Sequence, residues 1–160
     1  MKPEEIIRLL QNEYSHKNIL VIGYPASGKT TFAKKYIEYL PQHTLIDTDD
    51  YIPHGHEQSL YVLIEDLKKI RTPTLIGGVL GYRLLRKGVQ LDCYYPDVVF
   101  ELTAPWEHIE KVYQTEREEE KIPNLKSFIK SLDTILKQYQ KLPNPNPPLW
   151  HKIDISELTI

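Results

Sequence analysis

A single cysteine, Cys93, stands in 160 residues, so no internal disulfide framework exists and a reducing compartment is expected, the cytoplasm by default. Long hydrophobic runs are missing. Neither the opening Met1-Lys2-Pro3-Glu4-Glu5 nor any later stretch supplies the apolar run of a secretion signal or a membrane span. An excess of charge of one sign is missing too. Twenty Lys and Arg against 22 Asp and Glu leave a formal net charge of −2, which gives no electrostatic case for nonspecific nucleic-acid binding. That balance does not exclude a small nucleotide or the end of a strand as a substrate. No internal repeat and no disordered tail is visible. The length suits one domain, here 1–160, and leaves no room for a second catalytic one.

What is present is more specific. Gly23-Tyr24-Pro25-Ala26-Ser27-Gly28-Lys29-Thr30 spells G-x-x-x-x-G-K-T, directly after the apolar run Ile19-Leu20-Val21-Ile22 and directly before a helix-like stretch from Thr31 to Leu40. Strand, glycine turn and helix N-terminus bring successive backbone N–H groups around the α and β phosphates of a nucleoside triphosphate. The lysine ammonium reaches the β and γ phosphates, and the threonine hydroxyl can ligate magnesium. Gly23, Pro25, Ala26, Ser27, Gly28, Lys29, Thr30 and Thr31 are therefore the expected nucleotide contacts, with ATP and Mg2+ as cofactors.

Hydrophobic periodicity supplies the rest of the scaffold. Pro3 to Tyr14 reads as an amphipathic helix, Thr44 to Ile46 as a strand, Ser59 to Ile70 as a helix and Thr74 to Ile76 as a short buried strand. Tyr82 to Lys87 reads as a short helix ended by Gly88, and Val98 to Leu102 as a fourth strand. A strongly charged helix over Glu107 to Lys121 is expected to end at Pro123, followed by a helix over Leu125 to Gln140. Pro143 to Pro148 turns into a last strand, His151 to Ile155. Alternating strands and helices with apolar strands imply an α/β fold: a five-stranded parallel sheet with helices on both faces. In such a sheet the phosphate loop, the aspartates after Ile46, the glycines after Ile76 and the residues after Leu102 share one rim.

These pieces together resemble the small P-loop kinases, the group holding shikimate, gluconate, nucleoside and polynucleotide 5′-hydroxyl kinases, with a nucleoside monophosphate kinase-like architecture. Asp47-Thr48-Asp49 followed by Gly77-Gly78 is most similar to shikimate kinases, while Asp49-Asp50-Tyr51 also resembles polynucleotide and uridine-type kinases. The segment from Tyr51 to Pro73 is shorter than the acceptor-binding portion of shikimate kinases and has no arginine before Arg71, which argues against shikimate itself. The resemblance implies transfer of the γ-phosphate of ATP to a hydroxyl or phosphate of a small molecule or nucleotide. A helical lid near 107–124 would close over the site, and Arg117 within it is the expected transition-state arginine, with Lys111 and Lys121 as alternatives.

The acidic residues divide the remaining work. Magnesium must be held at the phosphates, with Thr30 as one ligand and Asp47 as the carboxylate, since the third strand runs into Gly77-Gly78 without an acid of its own. The competing role for Asp47 is to cap its own turn. Asp49, two residues on, is the expected base or acceptor ligand by resemblance, with Asp50 as the alternative. Lys29, Asp49 and Arg117 are thus the catalytic candidates. Asp49, Gly77, Gly78 and Arg83 are the acceptor candidates, and Arg83 or Arg86 could hold an anionic acceptor. A 5′ nucleic-acid end is a less favoured acceptor. No membrane partner is expected, and the chain reads as a monomer or weak homodimer. His54 and His56 lack the further ligands of a zinc site. The other reading is a nucleotide-binding ATPase or switch. It is disfavoured because the guanine-reading Asn-Lys-x-Asp pattern is absent and no acid follows the third strand to organise a hydrolytic water.

Overall fold

The structure, a computed structural model, describes residues 1–158, and of residues 53 and 54 the backbone alone. The pairing of His54 with His56 therefore lies outside the described side chains. Five strands, β1 (Ile19–Gly23), β2 (Thr44–Asp47), β3 (Thr74–Gly77), β4 (Val98–Thr103) and β5 (Leu149–Asp154), form one sheet in the order β2-β3-β1-β4-β5. Every pairing is parallel, with Leu20 opposite Ile76 and Val99, and Asp47 opposite Gly77.

Alternation along β1 explains how both faces are covered. Leu20 and Ile22 point into one core with Ile76 and Val99, under α3 (His56–Leu67), α4 (Gly81–Gln90) and α6 (Ile122–Lys141). Ile19 and Val21 point into the other, with Phe100 and Ile153, under α1 (Pro3–Asn12) and α2 (Lys29–Tyr36). Ile19, Leu20, Val21 and Ile22 are all fully buried, and such side chains contribute about 1.5–3 kcal/mol each on leaving water. The expected α/β sheet with helices on both faces is the one found. Among the described residues no helix is long and apolar enough to cross a membrane.

Three local expectations are corrected. Gly88 does not end its helix: α4 runs on to Gln90, and Gly88 is buried where an added Cβ would stand 2.6 Å from the Tyr94 carbonyl oxygen. Close approach of two backbones, not a stop, explains that glycine. The charged helix is also shorter than expected. α5 spans Trp106–Thr115 and stops before Glu116, with a separate short 3-10 turn at Glu119–Lys121. A run of glutamates at a helix C-terminus opposes the helix dipole, and Glu116 and Glu120 would repel at i,i+4. Arg117 therefore sits in a connecting bend and not on a helix. Pro123 then begins a helix and does not break one, because it occupies the first turn of α6, where its missing N–H has no intrahelical partner to lose.

α5 and α6 meet through Ile109, Tyr113 and Leu125, against which Tyr24 and Ala26 of the phosphate loop pack. The two helices and the bend between them thus stand beside the carboxyl ends of β1 and β4.

Candidate active site

Gly23 ends β1 at a point where only hydrogen fits: a Cβ there would collide with Ser27 Oγ and approach the Leu102 carbonyl oxygen to 2.9 Å. Past it the chain doubles back, with Ser27 N–H donating to the Tyr24 carbonyl at 3.1 Å and with Ala26 and Gly28 at φ 62° and 87°. Gly28 then precedes α2 without any side-chain cap. The first N–H groups of α2, from Lys29, Thr30 and Thr31, lie in the turn where a helix has no internal acceptors, the arrangement that binds phosphate. Ser27 is fully buried beneath the loop with its Oγ unpartnered.

The loop opens into a cavity of about 670 Å3, a volume suited to small-molecule binding. Pro25, Ala26, Gly28, Lys29, Thr30 and Thr31 line it on the loop side, Asp49, Ile52 and Val79 on the β2–β3 side, and Tyr113, Arg117 and Lys121 on the α5 side. Asn124, Leu125 and Phe128 of α6 close it. Elements far apart in sequence converge here because they all leave the carboxyl ends of parallel strands.

Lys29 lies at the meeting point of the charges. Its Nζ donates to the Tyr24 carbonyl at 2.9 Å. Burial lowers its pKa to about 8; the nearby Asp49 carboxylate opposes that shift, and Arg117 adds to it. The Tyr24 hydroxyl in turn donates to Asp133 of α6 at 2.5 Å, so the second loop residue is anchored through both its backbone and its ring.

The acidic turn after β2 is held by its own hydrogen bonds. Asp47 accepts from Asp49 N–H at 3.0 Å, Thr48 Oγ1 from Leu80 N–H at 3.1 Å, and Asp49 Oδ1 from Val79 N–H at 2.9 Å. The turn-capping role weighed for Asp47 is present. Asp47 also lines a small crevice with Thr30, Lys34 and Gly77, outside the large cavity. Burial pushes its carboxyl above the usual range, the Asp49 and Asp50 charges add to this, and the hydrogen bond from Asp49 N–H works against it. Asp50 is exposed and does not line the cavity; Asp49 does.

Gly77 and Gly78 are buried beneath the cavity wall, and the wall residue is the next one, Val79. Gly78 has φ 117°, and a Cβ on it would strike Thr48 Oγ1 and come within 2.9 Å of Asp49 Oδ1. The pair lets the β3–α4 turn approach the aspartates. Arg83 does not reach the cavity surface. Its guanidinium lies over the Phe128 ring at 6.0 Å, with Nη1 buried and unpartnered. Arg86 donates to Gln138 at 2.7 Å. Arg117 does line the cavity, rests over the Tyr113 ring at 5.2 Å and donates to its hydroxyl at 3.4 Å. Among the described residues its ion pairs with the surrounding glutamates do not form, while Lys121 pairs with Glu118 at 2.8 Å.

Sequence reasoning did not single out Thr48, Val79, Tyr113, Asn124, Leu125 or Phe128 for this site. Thr48 could have been found as the uncharged residue between Asp47 and Asp49. The others are ordinary core or surface types whose place depends on how α5 and α6 fold back.

No protein-family model matches the sequence, and no curated protein matches it. Solved structures do match in three dimensions. Shikimate kinase from Acinetobacter baumannii in complex with shikimate superposes with a TM-score of 0.55 at 16% identity, covering 92% of this chain and 86% of that one. A gluconokinase from Sinorhizobium meliloti gives 0.56 at 15% identity over 88% and 83%. Thymidylate kinase from Candida albicans gives 0.51 at 15% identity over 87% and 83%. The fold is that of the small P-loop kinases.

Proposed function

We propose that the protein is an ATP-dependent phosphotransferase that moves the γ-phosphate to a hydroxyl or phosphate of a small molecule or nucleotide. The observation that carries this reading is one cavity bounded at once by the phosphate loop, by Asp49 and by Arg117. A switch protein would not need a carboxylate facing a second ligand space.

In this reading the triphosphate lies on the N–H groups of Gly28 to Thr31, and Lys29 leaves the Tyr24 carbonyl to meet the β and γ oxygens. The nucleoside extends into a second cavity of about 240 Å3 on the other side of the loop, between Tyr36, His108 and Ile155. A magnesium ion would be carried in with the phosphates. Among the described residues no cluster of three metal-ligating side chains would hold one alone, and magnesium commonly takes one or two protein ligands plus phosphate oxygens. Thr30, on the cavity, would hold it, with Asp47 behind as the supporting carboxylate. When bound, the ion neutralises charge that develops on the transferred group.

Asp49 orients the acceptor hydroxyl and takes its proton, from a position fixed by Val79 N–H. Gly77 and Gly78 act as spacers that bring that wall close, and Arg83 supports the acceptor end from behind Phe128. Arg117, turning from Tyr113 to the phosphates, supplies the planar fork that stabilises the migrating group. The bend and helices over 107–124 serve as the lid within a single domain. As a monomer or weak homodimer it would work in the cytoplasm, the compartment a single cysteine favours.

The test is incubation with γ-labelled ATP, magnesium and a panel of nucleosides, nucleotides, sugars, shikimate and 5′-hydroxyl oligonucleotides. Label is expected on an acceptor, and Lys29→Ala should remove most of it. Label appearing only as inorganic phosphate with every acceptor would favour the ATPase alternative.

A further inference from the structure

The part of the large cavity beyond Asp49, away from the phosphate loop, has a distinct chemistry. Ile52, Val79 and Phe128 line it, and Asn124 is the one polar side chain that α6 adds. Among the described residues the cations near it are engaged or set back: Lys121, which lines the cavity, pairs with Glu118 at 2.8 Å. Arg86 is engaged with Gln138, and Lys87 with Glu57 at 3.1 Å. Lys29 and Arg117 serve the phosphates. Arg83, the remaining cation on that side, does not line the cavity, whereas Phe128, over whose ring its guanidinium lies, does.

His56 also meets that ring, with centroids 6.3 Å apart. Burial lowers the His56 pKa, and the Arg83 charge lowers it further, so at neutral pH the imidazole adds no positive charge to the wall. A carboxylate or phosphate placed in this space would lose its hydration without a paired cation and would sit beside the Asp49 carboxylate, both of which are costly. Phe128, by contrast, is held by two neighbours at the edge of an apolar slot, an arrangement that suits stacking.

We infer that the acceptor is an uncharged alcohol borne on a flat ring, a nucleoside being the simplest probe, and that Phe128 is the residue that selects it. The inference rests on the phosphotransferase reading above and narrows its acceptor. Arg83 then acts through Phe128 as a positioning residue and not as an anion clamp. The amide of Asn124 can both donate to and accept from a ring edge.

The experiment is calorimetric titration of the protein saturated with magnesium and a non-hydrolysable ATP analogue. The titrants are adenosine and thymidine, their 5′-monophosphates, shikimate and gluconate. At least one nucleoside should saturate the site and bind at least tenfold more tightly than its monophosphate or either carboxylate. Phe128→Ala should weaken that nucleoside by about tenfold, the scale of one aromatic stacking contact, without moving the affinity for the ATP analogue, and Phe128→Tyr should restore it. A 5′-hydroxyl oligonucleotide binding more tightly than the free nucleoside would keep the same chemistry and assign it to a strand end. A monophosphate or carboxylate that equals the nucleosides, the failure of both nucleosides to bind, or an unchanged nucleoside affinity in Phe128→Ala would overturn the inference. Phosphate transfer is read separately. A nucleoside that binds but takes no label from ATP counts against the phosphotransferase reading and leaves the acceptor class standing.

Discussion

At the scale of single residues, the site depends on positions where no larger or differently charged group can stand. Gly78 combines a left-handed backbone with contacts to Thr48 and Asp49, so Gly78→Ala should destabilise the fold by about 1–3 kcal/mol, read as a lowered Tm, and should also lower transfer by displacing Asp49. Lys29 gives a pH signature. Its folded pKa of about 8 lies below the ordinary 10.5, so between these values the unfolded chain binds a proton that the folded chain does not. Stability contributed by this group therefore rises with pH across that window. Chemical denaturation of nucleotide-free, metal-free protein should show the wild type gaining on Lys29→Met from about pH 8 to 10.5. A flat difference would place the ammonium in water. The phosphate loop was fully legible in the sequence because its mechanism fixes residue types at fixed spacing. Asp49 was preferred over Asp50 by resemblance, and the structure puts Asp49 alone of the two on the cavity. Asp47 was less legible, because metal support and turn capping use the same short carboxylate.

At the scale of elements, strands and long helices were readable and boundaries were not. β1 is apolar throughout and could only be a strand buried on both faces. The end of α4 is not legible because a glycine near a helix end resembles a stop, whereas Gly88 answers to the backbone of Tyr94, which folds back against it. Gly88→Ala should consequently behave as overpacking, with a loss of about 1–3 kcal/mol in denaturant unfolding, and not as the small gain expected of alanine in an open helix. The break after α5 was hidden for a different reason: charged residues favour helix individually, and the cost of four glutamates around Arg117 arises from their number and position. That break gives Arg117 its reach. Arg117→Ala should lower single-turnover transfer by about a hundredfold or more while leaving the affinity for an ATP analogue within about threefold, since a contact made only in the transition state does not contribute to ground-state binding. An equal loss in both would make it a ground-state phosphate ligand.

At the scale of the whole molecule, the parallel order β2-β3-β1-β4-β5 puts the acidic turn and the phosphate loop on the same rim with β3 between them. The shared rim could be read from alternating strands and helices, but the strand order could not, because nothing local tells β3 to pair with both β1 and β2. Nor could the sequence show that α6 returns across the rim to complete the cavity with Asn124, Leu125 and Phe128. Convergence of those parts sets the phosphate loop, Asp49 and Arg117 around one cavity, which the proposed function uses as a two-substrate site. Single-turnover transfer of label from γ-labelled ATP by wild type and by Asp49→Asn, beside titration of both with an ATP analogue, tests that claim most directly. Asparagine keeps an oxygen to accept from Val79 N–H and removes only the charge and basicity. Transfer should fall by about a hundredfold or more with analogue affinity within about threefold of wild type. Transfer at the wild-type rate in Asp49→Asn would contradict a site built to activate an acceptor hydroxyl.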